Sequence, residues 1–274
     1  MPDTHLPEPS ITTAPRSKTT KSDSSASTDQ PGNNAERRAH FVLQGKGGAG
    51  KSFIASLITQ YLTDKGRLEA LFDTDPVNGS IQKVKALNAK EVELLNRNAL
   101  NVKAVDQLIE HIVTATKDIV VDNGAASFLP LSRYLIENDI AGIIARKGAQ
   151  MVVHTVVNGG GNGMDTLKGL DALIRHFAPA AEIVCWVNEF FGPARFEGVD
   201  FEQTKVYLDN QGKLLGLVYL RKLDPEMFEP NLLEMLERKM TFAEAAASDH
   251  FMLMEKSRLS QIKQDIWDQL DRVL

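Results

Sequence analysis

Residues 45–52 read Gly45-Lys46-Gly47-Gly48-Ala49-Gly50-Lys51-Ser52, directly after the apolar run Phe41-Val42-Leu43 and before Phe53-Ile54-Ala55-Ser56-Leu57-Ile58. Strand, glycine loop and helix in that order predict a phosphate cradle. Glycines at 45, 47, 48 and 50 let the backbone turn sharply and aim its N–H groups inward, and the positive end of the following helix favours an anion. Lys51 offers an ammonium to the β- and γ-phosphates and Ser52 a hydroxyl to Mg²⁺, completing G-x-x-x-x-G-K-[ST]. The expected nucleotide-binding set is Gly45, Gly47, Gly48, Ala49, Gly50, Lys51, Ser52 and Phe53. A rival reading uses the same loop, since Gly45, Gly47 and Gly50 also satisfy the dinucleotide fingerprint G-x-G-x-x-G, with Asp73 in place for a ribose hydroxyl. Lys51-Ser52 favours a triphosphate with Mg²⁺, because a dinucleotide site has no use for that pair.

The next apolar run, Leu68 to Phe72, ends in Asp73-Thr74-Asp75-Pro76, which puts two carboxylates at a strand's carboxyl end, where doubly wound sheets place ligands. A spacing of two sets both on one side of an extended chain, and crowded like charges call for a cation such as Mg²⁺. Ile119-Val120-Val121-Asp122-Asn123-Gly124 reads as a buried strand ending in an acid, the Walker B position, with Gly124 freeing the loop beyond it.

Around these motifs the chain predicts α/β architecture: a doubly wound, mostly parallel sheet flanked by helices. Strands are expected at Met151–Val157, Ile183–Val187 and Leu214–Leu220, with helices after Gly50, after Asn101 and from Leu232 onward. Residues 80–100 suggest a short helix at Ile81–Leu87 and a strand at Val92–Leu95. Asn158-Gly159-Gly160-Gly161-Asn162-Gly163 lacks a following Lys-Ser and reads as a flexible turn. His154 has no second ligand at metal spacing, and Cys185 lies in an apolar run, so both read as core. Asn188, at a strand's end beside Phe190 and Phe191, can read a base edge with its amide.

With 274 residues, 43% hydrophobic and 24% charged, the chain suits one α/β domain plus a tail. Residues 1–38 are rich in Ser, Thr, Pro and Asp and predict a disordered extension; residues 39–274 form the expected P-loop domain. No apolar run approaches the roughly 18 residues of a membrane span. The opening residues carry no signal-peptide pattern, and a cytoplasmic setting is expected. A net charge of −5 gives no general attraction to nucleic acid. From Glu255 to Leu274 four basic residues balance four acids, which favours packing over membrane insertion.

Lys46, an extra lysine after the first glycine, makes Lys46-Gly47-Gly48-Ala49-Gly50-Lys51-Ser52 resemble the deviant Walker A signature of the ParA/MinD family of P-loop ATPases. Asp73-Thr74-Asp75-Pro76 resembles that family's switch I, Asp122 its switch II acid and Asn188 its adenine contact. Longer phrases, among them Asp73-Thr74-Asp75-Pro76-Val77-Asn78 and Val152-Val153-His154-Thr155-Val156-Val157, resemble most the members that act in plasmid conjugal transfer. The resemblance runs from about residue 40 to the end.

It implies a slow, partner-stimulated ATPase that is an ATP-dependent homodimer and recruits or positions a protein of the conjugation machinery. Lys51 would hold its own ATP and Lys46 the partner's. Ser52 would ligate Mg²⁺, Asp73 and Asp122 would hold it through water, and Asp75 would orient the attacking water. Relatives carry Ile-Pro after the last strand where this chain has Tyr219-Leu220-Arg221, a departure at the base. Two other readings on this fold stay open: a partition ATPase that binds non-specific DNA in its ATP form, and a dethiobiotin synthetase-like ligase, whose relatives generally lack the lysine at 46.

Overall fold

A computed structural model describes residues 37–75, 79–97 and 99–274. The expected tail falls outside them except for Arg37 and Arg38, as do Pro76, Val77 and Asn78 of the acidic loop.

Seven parallel strands form one sheet. In chain order they are β1 (Arg37–Val42), β2 (Leu68–Asp73), β3 (Lys90–Glu91), β6 (Asp118–Asp122), β7 (Ala149–Asn158), β8 (Glu182–Asn188) and β11 (Gly216–Leu220). Two small hairpins lie outside it, β4 (Leu95–Asn96) with β5 (Ala99–Leu100) and β9 (Arg195–Phe196) with β10 (Val199–Asp200). The sheet order is β11-β8-β7-β1-β6-β2-β3. The first described strand lies at the centre and the later ones are added outward on both sides, a doubly wound topology.

Helices cover both faces, so the inner strands read as continuous apolar runs. One face packs on α2 (Val102–Thr114), α3 (Phe128–Glu137), α4 (Ile140–Arg146) and α5 (Gly163–Phe177). The other packs on α1 (Lys51–Asp64), α7 (Glu229–Glu237), α8 (Phe242–Ala247) and α9 (Leu253–Val273); a short α6 (Lys205–Leu208) precedes β11. Cys185 and His154 are buried, as expected. Among the described residues no helix is long and apolar enough to cross a membrane.

Several local expectations are corrected. β1 begins at Arg37, inside the expected tail, because Arg38 donates its backbone N–H to Asp118 on β6 at 2.8 Å. Residues 81–87 form two 3₁₀ turns instead of one helix, and the edge strand is Lys90–Glu91 instead of Val92–Leu95. The single helical tract expected from Leu232 divides into three, with Thr241 and Glu244 forming a capping box that starts α8.

The glycines after β7 are not a loose turn. A Cβ at Gly159 would lie 1.9 Å from the Gly192 carbonyl oxygen and one at Gly160 2.6 Å from that of Phe191, so glycine is required for the close approach of two loops.

Motif reading also missed a buried polar chain across β8, β7 and β1. Trp186 donates its indole N–H to His154 Nδ1 at 3.1 Å, and His154 Nε2 meets His40 Nδ1 at 2.9 Å. The indole has only a proton to give, so His154 accepts at Nδ1 and donates from Nε2, and His40 carries its proton on Nε2, 3.8 Å from Asp118. Burial holds both histidines below their ordinary pKa, and the chain works only when both are neutral.

The unfolded chain therefore takes up protons that the folded one refuses, and this contribution to stability is lost as pH falls below about 6.5. Thermal denaturation should show a His40→Leu/His154→Leu variant losing less stability than the wild type between pH 7 and 5. Trp186→Phe, which leaves His154 Nδ1 unpaired, should cost about 1–3 kcal/mol.

Candidate functional site

The glycine loop joins the centre of the sheet to α1, so the sequence's leading motif sits at the carboxyl ends of the inner strands. Gln44 fixes its entrance: Nε2 donates to the Val156 and Thr166 carbonyls at 3.0 and 3.4 Å. Gly48 and Gly50 have φ of +69° and +100°, values that strain any L side chain. Gly45 is required for a different reason, since a Cβ there would stand 2.9 Å from the Phe128 ring. Gly50 occupies the N-cap of α1 without a side-chain cap, and the first turn holds no acid, so the first N–H groups face the loop uncapped by a side chain.

Lys51 is buried, and its Nζ donates to the Lys46 carbonyl at 3.2 Å. Burial lowers its pKa against the pull of Asp122 and Asp75. The strand register sets Asp73 directly across from Asp122. Both are buried; Asp122 Oδ1 has no hydrogen-bond partner among the described residues, and Gln82 approaches the Asp73 carboxylate. Burial pushes Asp122 up to about 7; a hydrogen bond with Ser52 opposes that and the charge of Asp73 adds to it. Asp73 is raised as well, mainly by burial.

Asp73 and Asp75 do not act as the matched pair that their spacing suggested. The chain bends at Thr74, and Asp73 Oδ1 accepts the Asp75 backbone N–H at 2.9 Å. Asp75 lies against Gly124, where a Cβ would come within 2.6 Å of its own, so Gly124 serves close packing of the two acidic loops in this structure. Thr74 stitches those loops together, donating its backbone N–H and its hydroxyl to the Asp122 carbonyl at 3.0 and 3.1 Å, with Asn123 Oδ1 also 3.1 Å from the hydroxyl.

A cleft of about 580 Å³ opens over the cradle, lined by Gly47–Phe53, Asp75 and Asp122–Ala125, and by Leu236 and Lys239 from the end of α7. A second, apolar cavity of about 540 Å³ shares Gly50, Phe53 and Leu236 with it and reaches Asn188, Phe190, Phe191 and Arg221. Asn188 Oδ1 accepts the Phe190 N–H at 3.1 Å, and its Nδ2 would stand 3.2 Å from a Cβ on Gly50. Arg221 folds over the Tyr219 ring at 5.2 Å. Lys46 points away from the cleft and pairs with Asp165 of its own chain at 2.8 Å, both side chains well exposed.

Of the expected site residues the structure brings Ala49, Lys51, Ser52, Asp75 and Asp122 to one cleft, sets Asp73 beneath it and Asn188 beside it, and leaves Lys46 at the rim. Gln44, Asn123, Asp165 and Lys239 were missed. Asn123 stood inside a quoted phrase, but nothing in a sequence announces that residues 165 and 239 reach residue 46 or the cradle.

Two curated proteins from Escherichia coli, each called protein TraL, are 38% and 39% identical over 234 residues, covering 85% of this chain and 97% of theirs. The chain belongs to the TraL family. That agrees with the conjugal-transfer branch expected from its longer phrases. No family model matches this TraL relative. Solved structures that it resembles include the MinD cell division protein of Aquifex aeolicus, at 14% identity and a TM-score of 0.47 over 85% of this chain and 97% of that one. A putative plasmid partition protein of Borrelia burgdorferi bound to AMPPNP aligns at 11% identity and a TM-score of 0.41, over 87% and 100%.

The raised Asp122 carries a stability prediction. Its folded pKa of about 7 lies above the ordinary carboxylate value, so folding retains a proton that the unfolded chain releases, and stability falls as pH rises from about 4 through 7. Asp122→Asn should therefore stabilise the ligand-free protein at pH 8 by about 2 kcal/mol, and by much less at pH 4, in denaturant titrations.

Proposed function

We propose that this protein is a cytoplasmic Mg-ATP-dependent switch in plasmid conjugal transfer, a slow ATPase whose ATP-bound form dimerises and engages a protein partner. The observation that carries the reading is the convergence of the cradle, the buried Lys51 and the buried Asp122 on one cleft, with Asp73 in register beside Asp122. A partnerless oxygen on Asp122, whose carboxylate also meets Ser52, with the buried Asp73 across from it, fits a divalent cation with its water shell, and the glycine loop with Lys51 fits a triphosphate. Bound there, Mg²⁺ would neutralise charge developing on the phosphates.

Each residue takes one role. Ser52 ligates the cation, and Asp73 and Asp122 hold its waters. The N–H groups of Gly47–Phe53 bind phosphate oxygens, and Lys51 reaches the β- and γ-phosphates. Asp75, in the cleft against Gly124, orients the attacking water. The base lies in the apolar cavity with Asn188 at its edge. Lys46 crosses to the nucleotide of a second copy after leaving Asp165, a change that costs little because solvent screens this exposed ion pair.

Light scattering tests the switch. Asp75→Ala should double in mass with Mg-ATP and not with Mg-ADP, whereas Lys46→Ala should bind Mg-ATP and stay monomeric. Monomers throughout, with ATP bound, would contradict the dimer and the crossing lysine.

A further inference from the structure

The lining of the cleft includes a lysine that no motif accounts for. Lys239 follows the C-cap of α7, and its backbone φ is +60°. The turn is a Schellman motif: the Met240 N–H bonds the Met235 carbonyl and the Lys239 N–H bonds the Leu236 carbonyl, both at 3.1 Å. Its left-handed position is one that glycine takes at no steric cost and a lysine does not. The negative end of α7 explains a cation somewhere in the last turn, and Arg238, paired with Glu234 at 3.3 Å, already supplies it. It does not explain a lysine at the strained position.

Lys239 lines the cleft together with the glycine loop, Phe53, Ser56 and Asp75. Its ammonium has no hydrogen-bond or ion-pair partner among the described residues, unlike Lys46, held by Asp165, and Lys51, held by the Lys46 carbonyl. Leu236, one turn earlier, lines both this cleft and the apolar cavity, so the end of α7 borders both. Backbone strain at an unpaired cation that lines the same cleft as an anion-binding loop is the pattern of a functional constraint.

We propose that Lys239 is a phosphate clamp, an ammonium brought from the end of α7 to the phosphates of the nucleotide bound in the cleft it lines. The proposal rests on the nucleotide reading above and adds a ligand-contacting residue from α7 to it.

Calorimetric titration of Mg-ATP into the full chain tests it, comparing wild type with Lys239→Gly, Lys239→Gln and Lys239→Arg at low and high salt. Lys239→Gly and Lys239→Gln should bind about tenfold more weakly at low salt, Lys239→Arg should stay near wild type, and the gap should narrow at high salt. Lys239→Gly relieves the turn, so it should melt no lower than wild type, and its weaker binding then cannot come from misfolding. Unchanged affinity in Lys239→Gly and Lys239→Gln, with wild type binding, overturns the clamp and leaves the nucleotide reading standing. A salt-independent loss makes the role structural and overturns the clamp too. A wild type that does not bind Mg-ATP overturns both.

Discussion

Two carboxylates, Asp73 and Asp122, end adjacent parallel strands in register, buried and within reach of a buried lysine. Like charges taken out of water repel strongly, and the site answers in two ways: burial raises both pKa values, and Lys51 and Ser52 supply compensation. A divalent cation would answer more fully. Much of the surrounding architecture keeps this arrangement from relaxing. The central position of β1 brings the glycine loop over the acids, Thr74 ties the two acidic loops, and Gln44 ties the cradle to β7 and α5.

The contacts that hold the cradle also link it to its surroundings. Phe128, the first residue of α3, packs on Gly45, so the helix after Asp122 leans directly on the loop. In addition, α7 reaches the cleft with Leu236 and Lys239. The helix after Asp122 is thus in packed contact with the cradle, and the end of α7 borders the same cleft.

The sheet and the cradle were legible because their signals are local. Phe41-Val42-Leu43 followed by the glycine loop names a strand, a turn and a helix within a few residues, and each acid at a strand's end names a place at the carboxyl edge. What was not legible depends on contacts distant in sequence. The meeting of Lys46 with Asp165 and the place of Lys239 in the cleft lining need the tertiary fold, as does the His40–His154–Trp186 chain. Asp73 and Asp75 show the limit of spacing arguments: alternation holds in a strand, but the strand ends at Asp73, and beyond it the chain bends at Thr74 so that Asp73 Oδ1 accepts the Asp75 N–H while only Asp75 lines the cleft. The glycines at 159 and 160 mislead for a related reason, since a glycine needed for close packing looks the same as one needed for mobility.

The most direct test of the central claim is calorimetric titration of ATP into wild type and Lys51→Ala, each with Mg²⁺ and with excess chelator. If the cradle and the buried acids form one Mg-ATP site, wild type binds tightly with Mg²⁺ and weakly with chelator, and Lys51→Ala loses most of its affinity while remaining folded. Equal affinity in both proteins, or binding indifferent to Mg²⁺, would contradict it.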